Sequence, residues 1–223
     1  MNVAPVRSRI AAAAARVGRS PDEVRIVAVT KGQALERARE AAAAGLADLG
    51  ENRVQEALGK QAAWPEAPVR WHLIGHLQRN KVKLVVGRFA LIHSLDSERL
   101  ADALDGAAAA AGLVQDVLLE VNVGREPQKT GVAPEAAPAL LAHAAALGHL
   151  AVRGLMTIAP YTEDVNVQRQ VFRELRLLRD SLATSSLELA VLSMGMSADF
   201  EIAVEEGATM VRLGTVLFGE RAS

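Results

Sequence analysis

The chain has 223 residues, half of them apolar, with 25 Lys and Arg against 26 Asp and Glu and no cysteine. A net charge of −1 leaves no electrostatic footprint for nucleic acid or an anionic membrane, and the missing thiols exclude disulfides, thiolate metal sites and cysteine catalysis. No run approaches the roughly 18 apolar residues of a membrane span, so a single domain over residues 1–223 in a cytoplasmic setting is the expectation.

The opening segment, residues 1–18, spreads three arginines through an alanine run and reads as a leading helix in place of a signal peptide. Short runs rich in Val, Ile and Leu then recur at 24–30, 46–50, 69–75, 90–95, 116–122, 152–158, 187–193 and 210–214. Most lack polar alternation, as expected of parallel strands buried on both faces. The intervening stretches read as helices. In 166–183, Val167, Val171, Leu175, Leu178 and Leu182 fall at three- and four-residue steps on one face. Ser97 is placed to cap the alanine-rich helix before Gly112, and Pro134 suits a first helical position. Gly45, Gly112, Gly148 and Gly207 stand where left-handed caps are wanted. Strict βα alternation with a count of eight predicts an α/β fold, a closed (β/α)8 TIM barrel with an extra N-terminal helix. No GxGxxG follows the first strand, which weighs against a dinucleotide fold.

In such barrels chemistry gathers at the C-terminal ends of the strands. Lys31 ends the first run, in VAVTKG. A lysine there either snorkels out of the mouth or, partly desolvated, has its pKa lowered and becomes a nucleophile for an aldehyde. At the other end of the chain, SMGMSADFE and VRLGTVLFGER follow the seventh and eighth runs, where barrels often bind phosphate. Gly195 permits a backbone nest, Ser197 is placed to cap a helix opening at Asp199, and Gly214 and Thr215 offer amides and a hydroxyl. A nucleophilic lysine facing a phosphate cradle points to a phosphorylated aldehyde, of which pyridoxal 5′-phosphate (PLP) is the obvious one. In WHLIGHLQRNK, His72 reads as a satisfied core histidine, while His76 lines the mouth or anchors its loop; a metal pair is not expected, because the two straddle a strand end. Asn52 is placed either to meet a ring hydroxyl or to cap a helix.

Taken together, VAVTKG, GENRVQE, WHLIGHLQRNK, HSLDS, RGLMTIAP, SMGMSADFE and VRLGTVLFGER, in this order from about residue 24 to 221, resemble the pyridoxal phosphate homeostasis protein family. The resemblance implies a fold like the N-terminal barrel of alanine racemase and PLP held as a Schiff base on Lys31. It implies phosphate contacts from Ser197, Gly214 and Thr215, Arg212 facing the pyridine nitrogen, and Asn52 and Met156 near the ring. It also implies buffering and delivery of PLP, with PLP-dependent apo-enzymes as partners and no robust catalysis. Arg53 stands where an aromatic is usual and Ala198 where an acidic residue is common, departures that fall outside the proposed covalent and phosphate contacts.

Two enzyme readings compete. A PLP-dependent racemase or decarboxylase of the alanine racemase type takes a second base from a C-terminal β-domain. Tyr161 is the one tyrosine here, and the sequence stops soon after its eighth strand, so a monomer without that base is the expectation. A phosphosugar isomerase without cofactor would use Lys31 as an electrophile or substrate imine.

Overall fold

A computed structural model describes residues 1–185 and 187–220. Eight parallel strands close into a barrel in chain order: β1 (Arg25–Val29), β2 (Asp48–Glu51), β3 (Arg70–Leu73), β4 (Leu91–Leu95), β5 (Gln115–Glu120), β6 (Leu150–Met156), β7 (Val191–Ser193) and β8 (Met210–Leu213), with β8 pairing back onto β1. Each falls within or overlaps one of the eight apolar runs. The helices are α1 (Val3–Arg16), α2 (Leu35–Ala43), α3 (Val54–Ala63), α4 (Val82–Val85), α5 (Glu98–Ala110), α6 (Ala137–Ala145), α7 (Val165–Leu182), α8 (Phe200–Glu205) and α9 (Thr215–Phe218).

The leading helix α1 buries Val6, Ile10, Ala13 and Ala14 and is fastened to α8, where the Arg9 guanidinium stacks 4.6 Å from the Phe200 ring and Arg16 pairs with Glu205 at 2.6 Å. Small alanines let the two helices approach closely. In α7, Val171, Phe172 and Leu175 are buried and Asp164 caps the first turn through the Asn166 amide, but Val167 is exposed. The buried face is therefore rotated toward Phe172 from the stripe that the aliphatic spacing suggests. Ser97 occupies the N-cap position of α5 without capping it; its hydroxyl donates to Asp96 instead. Gly45, Gly112 and Gly207 adopt the left-handed backbone expected of them. Gly148 does not, because α6 ends at Ala145 and Gly148 lies beyond the capping position.

Successive residues of a strand face opposite sides, and the packing divides accordingly. One apolar layer lies between strands and helices, and includes Ala28, Leu49, Leu73, Ile92, Leu119, Leu192 and Leu213. A second, smaller layer contains Val27, Ile74, Leu91, Leu118, Met156 and Met210. Asp48, His72, His93, Ser193 and Arg212 are also buried, at alternate positions with residues of this second layer: His72 with Ile74, His93 with Leu91, Arg212 with Met210. The barrel interior is thus partly polar, with His72 buried there as a core histidine.

Candidate functional site

A cavity of about 360 Å³ opens at the C-terminal ends of the strands, and Lys31, Asn52, Ser197, Arg212, Gly214 and Thr215 all line it. Six of the seven residues singled out from sequence are thereby brought together, Arg212 from strand β8 and the others from the loops after β1, β2, β7 and β8. Met156, the seventh, is buried in the interior layer directly behind the cavity, packed in one cluster with Val29, Ile74 and Ile158, which form apolar parts of its wall.

Lys31 sits half-buried in the turn after β1. The residues on both sides of it are pinned. Lys60, buried on α3, donates to the Thr30 carbonyl at 2.6 Å, Glu51 at 2.7 Å and Glu56 at 2.9 Å. The Thr30 hydroxyl donates to Glu51 and the Gly32 amide to Glu56, each at 2.5 Å. Burial raises the Glu51 carboxyl, opposed by the hydrogen bonds from Lys60 and Thr30. Lys31 is therefore not the one lysine whose ammonium or its neighbours shape this face: Lys60 reaches it from a helix, and Lys129 reaches the Ile158 and Ala159 carbonyls while pairing with Glu126. Nothing in α3 marks Lys60 as buried, since lysine on a surface helix is ordinary.

Asn52 does not cap α3, whose N-cap position is Arg53. Its Oδ1 is buried and lacks a hydrogen-bond partner, a costly state for an amide oxygen unless a ligand supplies the donor. Gly75 makes this placement sterically feasible, because a Cβ there would lie 2.4 Å from the Asn52 carbonyl oxygen.

The anion cradle differs in detail from the sequence expectation. Ser197 does not cap α8; Asp199 occupies that N-cap position, makes no side-chain cap, and instead accepts from the Met196 amide at 2.5 Å, tightening the turn. Gly195, at φ +91°, lets this turn pack against α8, where a Cβ would come within 2.5 Å of the Ala203 Cβ. The Ser197 hydroxyl reaches across to α9 and accepts from the Gly214 and Val216 amides at 3.3 and 3.2 Å. Loops seven and eight are thus joined by their own hydroxyl-to-amide contacts, and the same donors suit a phosphate.

Arg212 is buried, with no carboxylate in contact among the described residues. Its Nη1 donates to Ser193 Oγ at 2.7 Å and its Nη2 to the Thr157 carbonyl at 2.8 Å. Burial brings its pKa down to about 10, with Asp199 and Glu120 acting the other way, so it remains a cation at neutral pH. His72 is satisfied in the core, between Asp48 at 2.8 Å and His93 at 3.0 Å. His76 anchors its loop, its Nδ1 lying 3.4 Å from Asp96. Tyr161 lines the cavity but is fully exposed. Among the described residues no group of three His, Asp or Glu is disposed to hold a metal, and no helix is long and apolar enough to cross a membrane.

Residues 1–222 match the family model described as alanine racemase, N-terminal domain. A pyridoxal phosphate homeostasis protein of Aquifex aeolicus is 48% identical over 97% of this chain and 95% of its own length. The chain belongs to the pyridoxal phosphate homeostasis protein family. PipY of Synechococcus elongatus, solved with PLP bound, superposes with a TM-score of 0.85 at 39% identity, covering 96% of this chain and all of that one. An alanine racemase of Clostridium difficile shares the fold at a TM-score of 0.79 and 16% identity, covering all of this chain and 57% of that one. This homeostasis-family chain therefore carries the alanine racemase barrel, and the mouth described above is the part of it that its sequence motifs populate.

Proposed function

We propose that the chain binds PLP as a Schiff base on Lys31 and acts in PLP homeostasis as a monomeric reservoir that passes the cofactor to apo-enzymes. One observation carries the reading: a single cavity gathers a lysine amine, an unsatisfied Asn52 oxygen, a buried arginine and a cradle of amides and hydroxyls. That donor set matches an aldehyde, a ring hydroxyl, a ring nitrogen and a phosphate. The likeness to PipY, solved with PLP, supports it. The bound cofactor supplies an aldehyde that condenses reversibly with primary amines, releasing water. Ser197, Gly214 and Thr215 hold the phosphate, Ile74 and Ile158 exclude water from the ring faces, and Lys60 and Glu56 keep the Lys31 turn in place.

The balance toward carriage over turnover follows from Arg212. An arginine only donates hydrogen bonds and stays charged, so it disfavours a second positive charge on a ring nitrogen beside it. A neutral ring is a weaker electron sink for carbanion chemistry, and Tyr161, exposed on its loop, is not held as a second acid or base.

Purified protein titrated with PLP should develop a visible absorption band that borohydride bleaches, with the label on Lys31. Incubation in deuterium oxide with a panel of amino acids should show no appreciable exchange at the α-carbon. Rapid exchange of any one, lost in Lys31→Ala, would establish a racemase-like enzyme in place of a carrier.

A further inference from the structure

Five strands, β2, β3, β4, β7 and β8, each contribute one polar side chain to a continuous path through the barrel. Asp48 Oδ1 lies 2.8 Å from His72 Nε2, His72 Nδ1 lies 3.0 Å from His93 Nε2, His93 Nδ1 lies 3.0 Å from Ser193 Oγ, and Arg212 Nη1 donates to that same Oγ at 2.7 Å. All five residues are buried. At the N-terminal end the path is fastened by Arg70, which donates to both Asp48 oxygens at 2.6 and 2.7 Å. At the C-terminal end it reaches the wall of the cavity through Arg212.

The two ends fix the direction of the outer bonds. An arginine can only donate and an ionised carboxylate only accept. Burial would raise the Asp48 carboxyl, but hydrogen bonds from His72 and Arg70 overcome this and hold it below the usual carboxylate range. His72 therefore donates from Nε2 to Asp48, and the rest of the path runs one way when His72 Nδ1 accepts from His93 Nε2. His93 then accepts at Nδ1 from the Ser193 hydroxyl, which accepts in turn from Arg212. In that arrangement each imidazole nitrogen makes one hydrogen bond along the path. A proton added to His93 would make its Nδ1 a donor and turn the Ser193 hydroxyl away from it; burial, with the Arg212 cation nearby, pushes the His93 pKa well down and keeps that ring neutral.

We propose that Asp48, His72, His93 and Ser193 are positioning residues that lock the Arg212 guanidinium in one orientation, so that its remaining N–H groups meet the ring of the bound cofactor. The inference rests on the reading of the cavity as a PLP site. Polar cores cost stability relative to apolar ones, and this one ends on the cavity-lining side chain that most needs a fixed orientation. Thr157 O supplies the second fixed point, holding Nη2.

Two measurements test it. In cofactor-free protein, long-range ¹H–¹⁵N imidazole correlations at pH 7.5 should assign both His72 and His93 as Nε2–H tautomers; an Nδ1–H tautomer or an imidazolium at His93 would overturn the path. With PLP, His93→Phe and Ser193→Ala should each weaken binding about threefold to tenfold and shift the visible maximum. His93→Gln, which keeps one donor and one acceptor, should recover most of both. Should His93→Phe fail to fold by circular dichroism, Ser193→Ala carries the test. Wild-type affinity and an unshifted maximum in folded Ser193→Ala would refute the positioning role while leaving PLP binding intact. Failure of the unaltered protein to bind PLP would instead remove the functional reading, and this inference with it.

Discussion

The two ends of the barrel contain hollows of opposite character. The N-terminal one is the larger, about 630 Å³ against about 360 Å³ at the C-terminal mouth, and it is bordered by Arg25, Arg70 and Arg153. Two of those arginines are already matched, Arg70 with Asp48 at 2.6 Å and Arg153 with Asp116 at 2.9 Å. On the C-terminal side, Glu51 Oε2, Asn52 Oδ1, Ser94 Oγ and Glu120 Oε2 are buried without hydrogen-bond partners among the described residues, Asn52 alone of these lining the mouth, and Arg212 there is a buried cation with no ion pair among the described residues. All four atoms belong to strand ends or loops on the C-terminal side. Volume and unmet polar groups thus point to different ends, and Asn52 Oδ1, the one such atom whose residue lines the smaller hollow, marks the C-terminal end as the place where a ligand's donor would offset its cost.

The comparison breaks most sharply at Lys31. Lys31→Ala should abolish the borohydride-sensitive PLP band altogether, while circular dichroism should show the fold retained, since Thr30 and Gly32 on either side of it are held by Lys60 and Glu56. A band that persists, with another lysine labelled, would move the attachment site. Next in size is Lys60→Ala, which strands Glu51 in the interior. Removing one partner of a buried pair costs about 3–5 kcal/mol, and urea denaturation should register a loss of that order together with weaker PLP binding.

A subtler effect separates the ends by pH. The Asp48 carboxyl is depressed in the folded state, so its contribution to stability is fully present above its unfolded pKa of about 3.9 and declines as pH falls toward the folded value. The stability difference between the parent protein and Asp48→Asn should be level from about pH 8 to pH 5 and shrink on further acidification. A difference that grows with acid would show the opposite linkage. The smallest effect is expected from Arg153→Ala, which removes a pair at the N-terminal rim with both partners at least a third exposed. Such pairs are worth about 0.2–1 kcal/mol, and PLP binding should not change. A weakened PLP affinity here would show that the two ends are coupled.

Much of the molecule is legible in one dimension. Eight apolar runs separated by helical stretches determine a closed parallel barrel, because period, count and alternation are local properties of the chain. The positions of Lys31, Asn52, Ser197, Arg212, Gly214 and Thr215 at strand ends follow from the same list, since a barrel gathers those ends on one face. What the sequence could not decide is which partners those residues take. Ser197 stands three residues before α8 and serves α9 instead; Met156 stands at a strand end and turns out to pack below the cavity; Lys60 looks like a surface helix residue and is buried under the Lys31 turn. The path from Asp48 to Arg212 joins residues as far as 100 apart along the chain, His93 to Ser193. Closure of the barrel brings them within 3 Å, and hydrogen bonds, being short and directional, come into being only at that stage.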